Sequence, residues 1–216
     1  MALRAAALML LTFASHSGAG EEEHRTYTVT VGKKICGTNH LVIQKRDDGA
    51  VSVVAQADVL VKISIITYRV NYRGAEVWKD DRLQHLTSST NDNGKKHTVS
   101  AEVNKDAIAV KADGKESQVQ NDAWVTSYWK LPPEKLRGPN LVLLDAGTGK
   151  VVTAKLEKVG VEKITLMGKM TEVVHYRLSG GVQVDLWYDG DDRLVRQESI
   201  EEGHRTILEL SRLQRE

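Results

Sequence analysis

The sequence predicts a mainly β protein built on one large curved antiparallel sheet, a half-barrel or open barrel of about 11–12 strands. Three observations predict it. Apolar and polar residues alternate along most of the chain, the period-two pattern of half-buried strands. Turn signals such as Asp48-Gly49, Asn93-Gly94, Asp113-Gly114 and Gly180-Gly181 recur at roughly ten-residue spacing, and tight turns join antiparallel neighbours. The stretch from Ala50 to Ser64 alternates throughout its length, with Val51, Val53, Ala55, Ala57, Val59, Val61 and Ile63 on one face. A strand well beyond the usual ~5–6 residues suits a large curved sheet better than two packed sheets, the alternative architecture.

The elements follow in order. Met1 to Arg4 is a short basic start, Ala5 to Ala14 a compact apolar run, and Ser17-Gly18-Ala19 a small-residue site. These predict a secretory signal peptide over residues 1–19, cleaved after Ala19, and a single β-rich domain over residues 20–216. The apolar run is about half of the ~20 residues a membrane span needs, and no later stretch is apolar enough, so no transmembrane segment is expected after cleavage. Tyr27, Val29 and Val31 alternate with threonines, and Ile35 to Gln44 forms the next strand, with Gly37 as a bulge. After the long third strand come three more, over Thr67 to Val103, separated by Asp80-Asp81 and Asn91 to Gly94. Tyr68, Tyr72 and Trp78 share a face there, while Arg69, Asn71 and Arg73 lie on the other. Ala107 to Ala112 is a short strand.

Asn121 to Pro139 breaks the pattern. It holds Trp124, Tyr128, Trp129 and all three prolines, and predicts one short helical segment near residues 126–137. Strands resume at Leu141–Asp145, Lys150–Val159, Lys163–Leu178, Val182–Tyr188, Leu194–Ile200 and Arg205–Leu213. In the longest of these, Lys163–Leu178, Ile164, Leu166, Met170, Val174, Tyr176 and Leu178 are expected on one face.

Charge and cysteine usage narrow the function. The chain of 216 residues carries a formal charge of +1, and loss of Arg4 with the leader brings it to 0. A neutral protein has no general attraction to nucleic acid or anionic membranes. The single cysteine, Cys36, forms no internal disulfide, which suits a bacterial periplasm better than a small disulfide-rich secreted module.

The stretches Glu76 to Leu83 (EVWKDDRL), Thr90 to Lys95 (TNDNGK) and Trp124 to Trp129 (WVTSYW), followed by Leu186 to Asp189 (LWYD), resemble the DUF6134 family, an exported bacterial domain of unknown function. The resemblance covers most of residues 25–213. That family is in turn distantly similar to periplasmic lipoprotein carriers of the LolA and LolB kind. The resemblance implies an eleven-stranded half-barrel whose helices cover an apolar concavity. This chain departs from it in having one short helical segment to serve as a lid.

Motifs for chemistry are sparse. Gly147-Thr148-Gly149-Lys150 lacks both the leading glycine and the Ser or Thr of a phosphate loop. Asp189 to Asp192 has Arg193 where a calcium loop needs a ligand. Cys36 and His40 are about 13 Å apart along a strand, too far for a nucleophile–base pair. His85 and His97 lie on neighbouring strands, where a metal site would need Asp92 or Glu102 as a third ligand, and two surface histidines on a hairpin are the favoured reading. No cofactor, metal site or catalytic residue is therefore assigned. The aromatics are the sharper signal: one Phe against four Trp and six Tyr, residues with a polar handle suited to a lined pocket.

The candidate ligand-binding residues are Tyr68, Tyr72, Trp78, Trp124, Tyr128 and Trp129. The expectation is a periplasmic or secreted, non-enzymatic binding protein holding an apolar or lipid-like ligand on the concave face. Two alternatives stand beside it. One is an envelope protein partner that uses a sheet edge. The other is an enzyme using Arg69, Arg73, His85 and Asp92.

Overall fold

A computed structural model describes residues 21–63, 66–201 and 203–216. The expected signal peptide, residues 1–19, lies outside the described residues. Fifteen strands form one sheet in the order β8-β7-β6-β5-β4-β3-β2-β1-β15-β14-β13-β12-β11-β10-β9. The first meander comprises β1 (Glu22–Val31), β2 (Lys34–Lys45), β3 (Val51–Ile63), β4 (Ile66–Lys79), β5 (Arg82–Asp92), β6 (Lys95–Asn104), β7 (Ala107–Ala112) and β8 (Lys115–Gln120). The second comprises β10 (Gly138–Leu144), β11 (Val151–Leu166), β12 (Lys169–Gly180), β13 (Val184–Tyr188), β14 (Leu194–Glu201) and β15 (His204–Arg215), with the short β9 (Trp124–Val125) added parallel to β10 at its edge. The antiparallel curved sheet is therefore the architecture, and the two-sheet alternative is not.

The two meanders meet at β1 and β15, the chain's own end strands, with Glu23 opposite Arg215 and Val31 opposite Thr206. The seam is closed at its tip by Glu22 N–H to Glu216 O (3.2 Å) and Glu216 N–H to Glu22 O (2.9 Å). The free edges are β8 and β9. Only Asn121 to Ala123 separate these edges in sequence, so the chain itself holds them within about 14 Å.

The turns explain the register. Asp80-Asp81, Asn93-Gly94 and Asp113-Gly114 place both central residues at positive φ, the geometry that matches the twist of a two-residue hairpin. Met167-Gly168 does the same. That turn corrects one expected element: the strand over 163–178 breaks here, β11 runs on to Leu166, and the intervening turn expected near residue 160 is absent. A β-bulge between Lys158 and Gly160 stands in its place. Ile164 and Leu166 consequently do not share a face with Met170, which is 67% exposed. The expected helical segment reduces to one 3-10 turn at Glu134–Leu136. β8 and β9 are the strands that alternation did not reveal, since β8 buries only Val119 and β9 is two residues long.

The core fills the concave side. Register aligns Ile43, Val53, Glu76, Leu86, Ala101 and Val110 in one row across β2 to β7, and all six are buried. The curl is completed by the turn between β10 and β11, which docks on the concave side of β5 to β7. Ser88 Oγ donates to Ala146 O (2.5 Å) and Thr90 Oγ1 to Gly147 O (2.9 Å). Gly149 lies so close to Ala112 that an added Cβ would sit 2.5 Å from the Ala112 Cβ. Side chains and a turn, rather than a strand ladder, bridge the two halves here.

Candidate functional site

Residues 121–137 run across one mouth of the curved sheet as a strap. They carry little regular structure, so discrete contacts fix them. Thr126 N–H donates to Leu144 O (3.1 Å), and Ala146 N–H donates to Thr126 Oγ1 (3.0 Å). Leu131 N–H donates to Asp192 O (3.0 Å) in the turn before β14, and Lys130 Nζ reaches Asp81 (3.0 Å) in the turn before β5. From β1, the buried Arg25 donates through Nη1 to Trp129 O (2.5 Å). Tyr128 sits at φ +47°, a left-handed conformation that a bulky side chain adopts only under constraint from its surroundings.

The strap brings four of the six candidate aromatics together. The Trp78 and Trp124 ring centroids are 4.6 Å apart, and those of Trp78 and Trp129 are 6.2 Å apart in an edge-on arrangement. Trp78, Trp124, Tyr128 and Trp129 are all buried, so the layer plugs the concave face as it stands. Tyr72, on the same face of β4, is half-buried and lays its ring over Gly74, where any Cβ would strike its hydroxyl. Burial pushes the Tyr72 and Tyr128 hydroxyls up from the ordinary tyrosine value. Tyr68 stands apart at the far end of β4, where its hydroxyl bonds to Asp92.

A carboxyl lies within this layer. Glu76 is 3% exposed and accepts a hydrogen bond from Trp78 Nε1 (2.7 Å). Burial pushes it up to about 7, against the Trp78 hydrogen bond and the nearby Ser127 hydroxyl, which both favour the ionised form. Ser127 Oγ nevertheless makes no hydrogen bond of regular geometry, and neither do Tyr72 Oη, Trp124 Nε1 and Trp129 Nε1. Glu76 escaped the sequence reading because it sits in a charged-looking run. The signal that finds it is parity: counting by twos from Tyr72 through Gly74 to Trp78 puts Glu76 on the aromatic face.

Beside the plug, a cavity of about 450 Å³ opens at the mouth, with Ile43, Val51 and Trp129 on its apolar side and Arg25, Glu23 and Arg193 on its polar side. Glu23 collects three guanidinium groups, from Arg25 (2.6 Å), Arg193 (3.2 Å) and Arg215 (2.8 Å). Burial pushes the Glu23 carboxyl up, but Arg25, Arg215 and Arg193 outweigh it and hold it below its ordinary value. Arg193 also ties down its own turn through Asp189 (2.9 Å) and Asp191 (2.6 Å), so the loop that looked like a calcium site is a stapled hairpin.

A second polar cluster sits at β11 to β14. His175 stacks on Trp187 at 4.3 Å and 13°. Its Nδ1 faces Glu162 (2.9 Å) and its Nε2 faces Asp185 (2.6 Å). Trp187 Nε1 donates to Glu162 (3.1 Å), and this bond, with His175, keeps that carboxyl below its ordinary value. Both imidazole nitrogens are engaged by carboxylates, so the group is a clamp between β11 and β13 rather than a free base. Among the described residues no three His, Cys, Asp or Glu side chains could hold a metal, and no helix is long and apolar enough to cross a membrane. The residues considered for an enzyme disperse: Arg69, Arg73 and His85 are exposed, and Asp92 is engaged by Tyr68. Cys36 and His40 do not meet; His40 bonds to Thr26 (3.1 Å) and Cys36 Sγ to Lys34 O (3.4 Å).

Residues 27–211 match the family described as a domain of unknown function, DUF6134. No curated protein matches the chain. Among solved structures, it is similar to a beta-barrel-like protein of domain of unknown function DUF1849 from Brucella abortus. That likeness has a TM-score of 0.64 and covers 90% of this chain and 98% of the other, at 9% identity. At that identity it shows the fold, a barrel-like sheet, and nothing of the ligand.

Proposed function

We propose, for a chain that belongs to the DUF6134 family, a non-enzymatic binding role: it is exported, to the periplasm or beyond, and holds an apolar or lipid-like ligand on the concave face of its sheet. Tyr72 and Trp78 on β4 form the floor of the binding layer, and residues 121–137 are a displaceable plug whose Trp124, Tyr128 and Trp129 close it over the ligand. One observation carries this reading. The plug fills an apolar interior yet is fixed by scattered contacts and by a strained residue, Tyr128, at its centre. A segment meant only to fill a core gains nothing from strain; a segment that yields to a ligand is drawn from the low-stability end of the fold. The mouth cavity beside Trp129 supplies the entry, with an apolar floor and a charged rim. Tyr68, remote from the layer, takes no part.

An envelope partner adding to a sheet edge is less favoured. β8 is short and exposes Lys115 and Glu116, and both residues of β9 are buried, devices that discourage edge pairing.

Native mass spectrometry of protein recovered from its own host tests the reading. Bound lipid-like mass is expected, on a mature chain that begins after Ala19. In parallel, titration with a short-chain lipid should shift tryptophan emission saturably, because three of the four tryptophans lie in the layer. A ligand-free spectrum together with an unresponsive emission would remove the proposal.

A further inference from the structure

The polar atoms of the plug say more about the ligand, on the premise that the concave-face reading holds. Three buried side-chain polar atoms of this layer make no hydrogen bond among the described residues: Tyr72 Oη, Trp124 Nε1 and Trp129 Nε1. Buried polar groups in folded proteins are nearly always paired, and stranding one costs about 1–3 kcal/mol. Clustering of three such atoms in one layer is a feature of that layer, not background. An indole N–H donates and cannot accept. Glu76 takes Trp78 Nε1 (2.7 Å) and draws on the Ser127 hydroxyl, but no carboxylate accepts from the Trp124 or Trp129 indole. A purely hydrocarbon ligand would leave both indoles as stranded as before.

We infer that the ligand is an apolar body carrying carbonyl acceptors, of the acyl ester or amide class, and that Trp124 Nε1 and Trp129 Nε1 donate to them. Tyr72 Oη stands on the same layer as a further donor. The aromatic faces take the hydrocarbon and the indole edges take the carbonyls, so the specificity lies in the edges.

Matched probes separate this from apolar binding in general. Dioctanoylglycerol and its dioctyl ether analogue share chain length and differ in the two carbonyls. Their affinities are read by displacement of an apolar reporter dye from the full mature chain. The ester is expected to bind at least about tenfold more tightly, as two hydrogen bonds of ordinary net strength require. Trp124→Phe and Trp129→Phe, which keep an aromatic ring and remove the N–H, should each narrow the ester-to-ether ratio, whatever they do to both affinities together. Equal affinity of wild type for ester and ether would overturn the inference and leave the concave-face reading standing. Failure of both to displace the dye would take down that reading itself. The wild-type comparison decides the matter even if a variant does not fold.

Discussion

Glu76 is the residue whose chemistry is most at odds with its surroundings. It faces Val53 on one neighbouring strand and Leu86 on the other, both buried, under the tryptophan layer. Its pKa is raised from 4.5 to about 7 by burial, so the folded chain holds this proton where the unfolded chain has lost it. Stability is then fully present below about pH 4.5 and falls as pH rises toward 7, by about 3 kcal/mol in total. Glu76→Gln keeps an acceptor for Trp78 and removes the titration. Urea unfolding at pH 8 should show the variant more stable than wild type by about 2–3 kcal/mol, with little difference at pH 4.5. A gain of the same size at both pH values would mean that the carboxyl does not titrate in this window. The sequence showed the tryptophans at once and hid this carboxyl, because an acidic residue between Ala75 and Val77 reads as surface until the strand's parity is carried through.

At the level of elements, turns were the most legible part and irregular pieces the least. Asn93-Gly94 and Asp113-Gly114 announce hairpins by chemistry, and the structure has them. Met167-Gly168 is as good a turn geometrically, yet Met carries no turn signal, so the β11–β12 hairpin was misplaced by several residues. The docking of the β10–β11 turn on β6 and β7 was invisible, being a contact between distant segments with no local pattern. It is testable through a pair of glycines. Gly32 has φ +63° and open space around its Cβ position, while Gly149 has φ +71° and the Ala112 Cβ 2.5 Å from it. Gly32→Ala should lose only the backbone preference, about 1 kcal/mol. Gly149→Ala should lose that and the packing of the turn, about 2–3 kcal/mol in all. Equal losses in chemical denaturation would show that the docked turn carries no stability. The strap is the element the sequence flagged for the right reason, its density of Trp, Tyr and Pro, while giving it more helix than it has.

For the molecule as a whole, the alternation of residues was enough to predict one curved antiparallel sheet. The joining of its halves was not, since neither β1 nor β15 carries a mark of its partner. Every other antiparallel pairing in the sheet links strands adjacent in sequence, whereas Arg215 and Glu23 meet across 192 residues at 2.8 Å. That one seam has a use. Because Glu22 and Glu216 already exchange backbone hydrogen bonds, a linker of a few residues can join Glu216 to Glu21 in a chain made without residues 1–20, and that chain can be reopened between Asn121 and Asp122. The circular permutant would then run from β9 across the strap to β10, and from there through β15 into β1 and on to β8 as one antiparallel zigzag of sequence neighbours. Loop closure would no longer limit assembly, so stopped-flow refolding is expected to quicken by on the order of tenfold, with the same spectrum and nearly the same stability. In the natural order the β1–β15 pairing must wait until β15 has been made, and the permutant would show what that delay is worth in time.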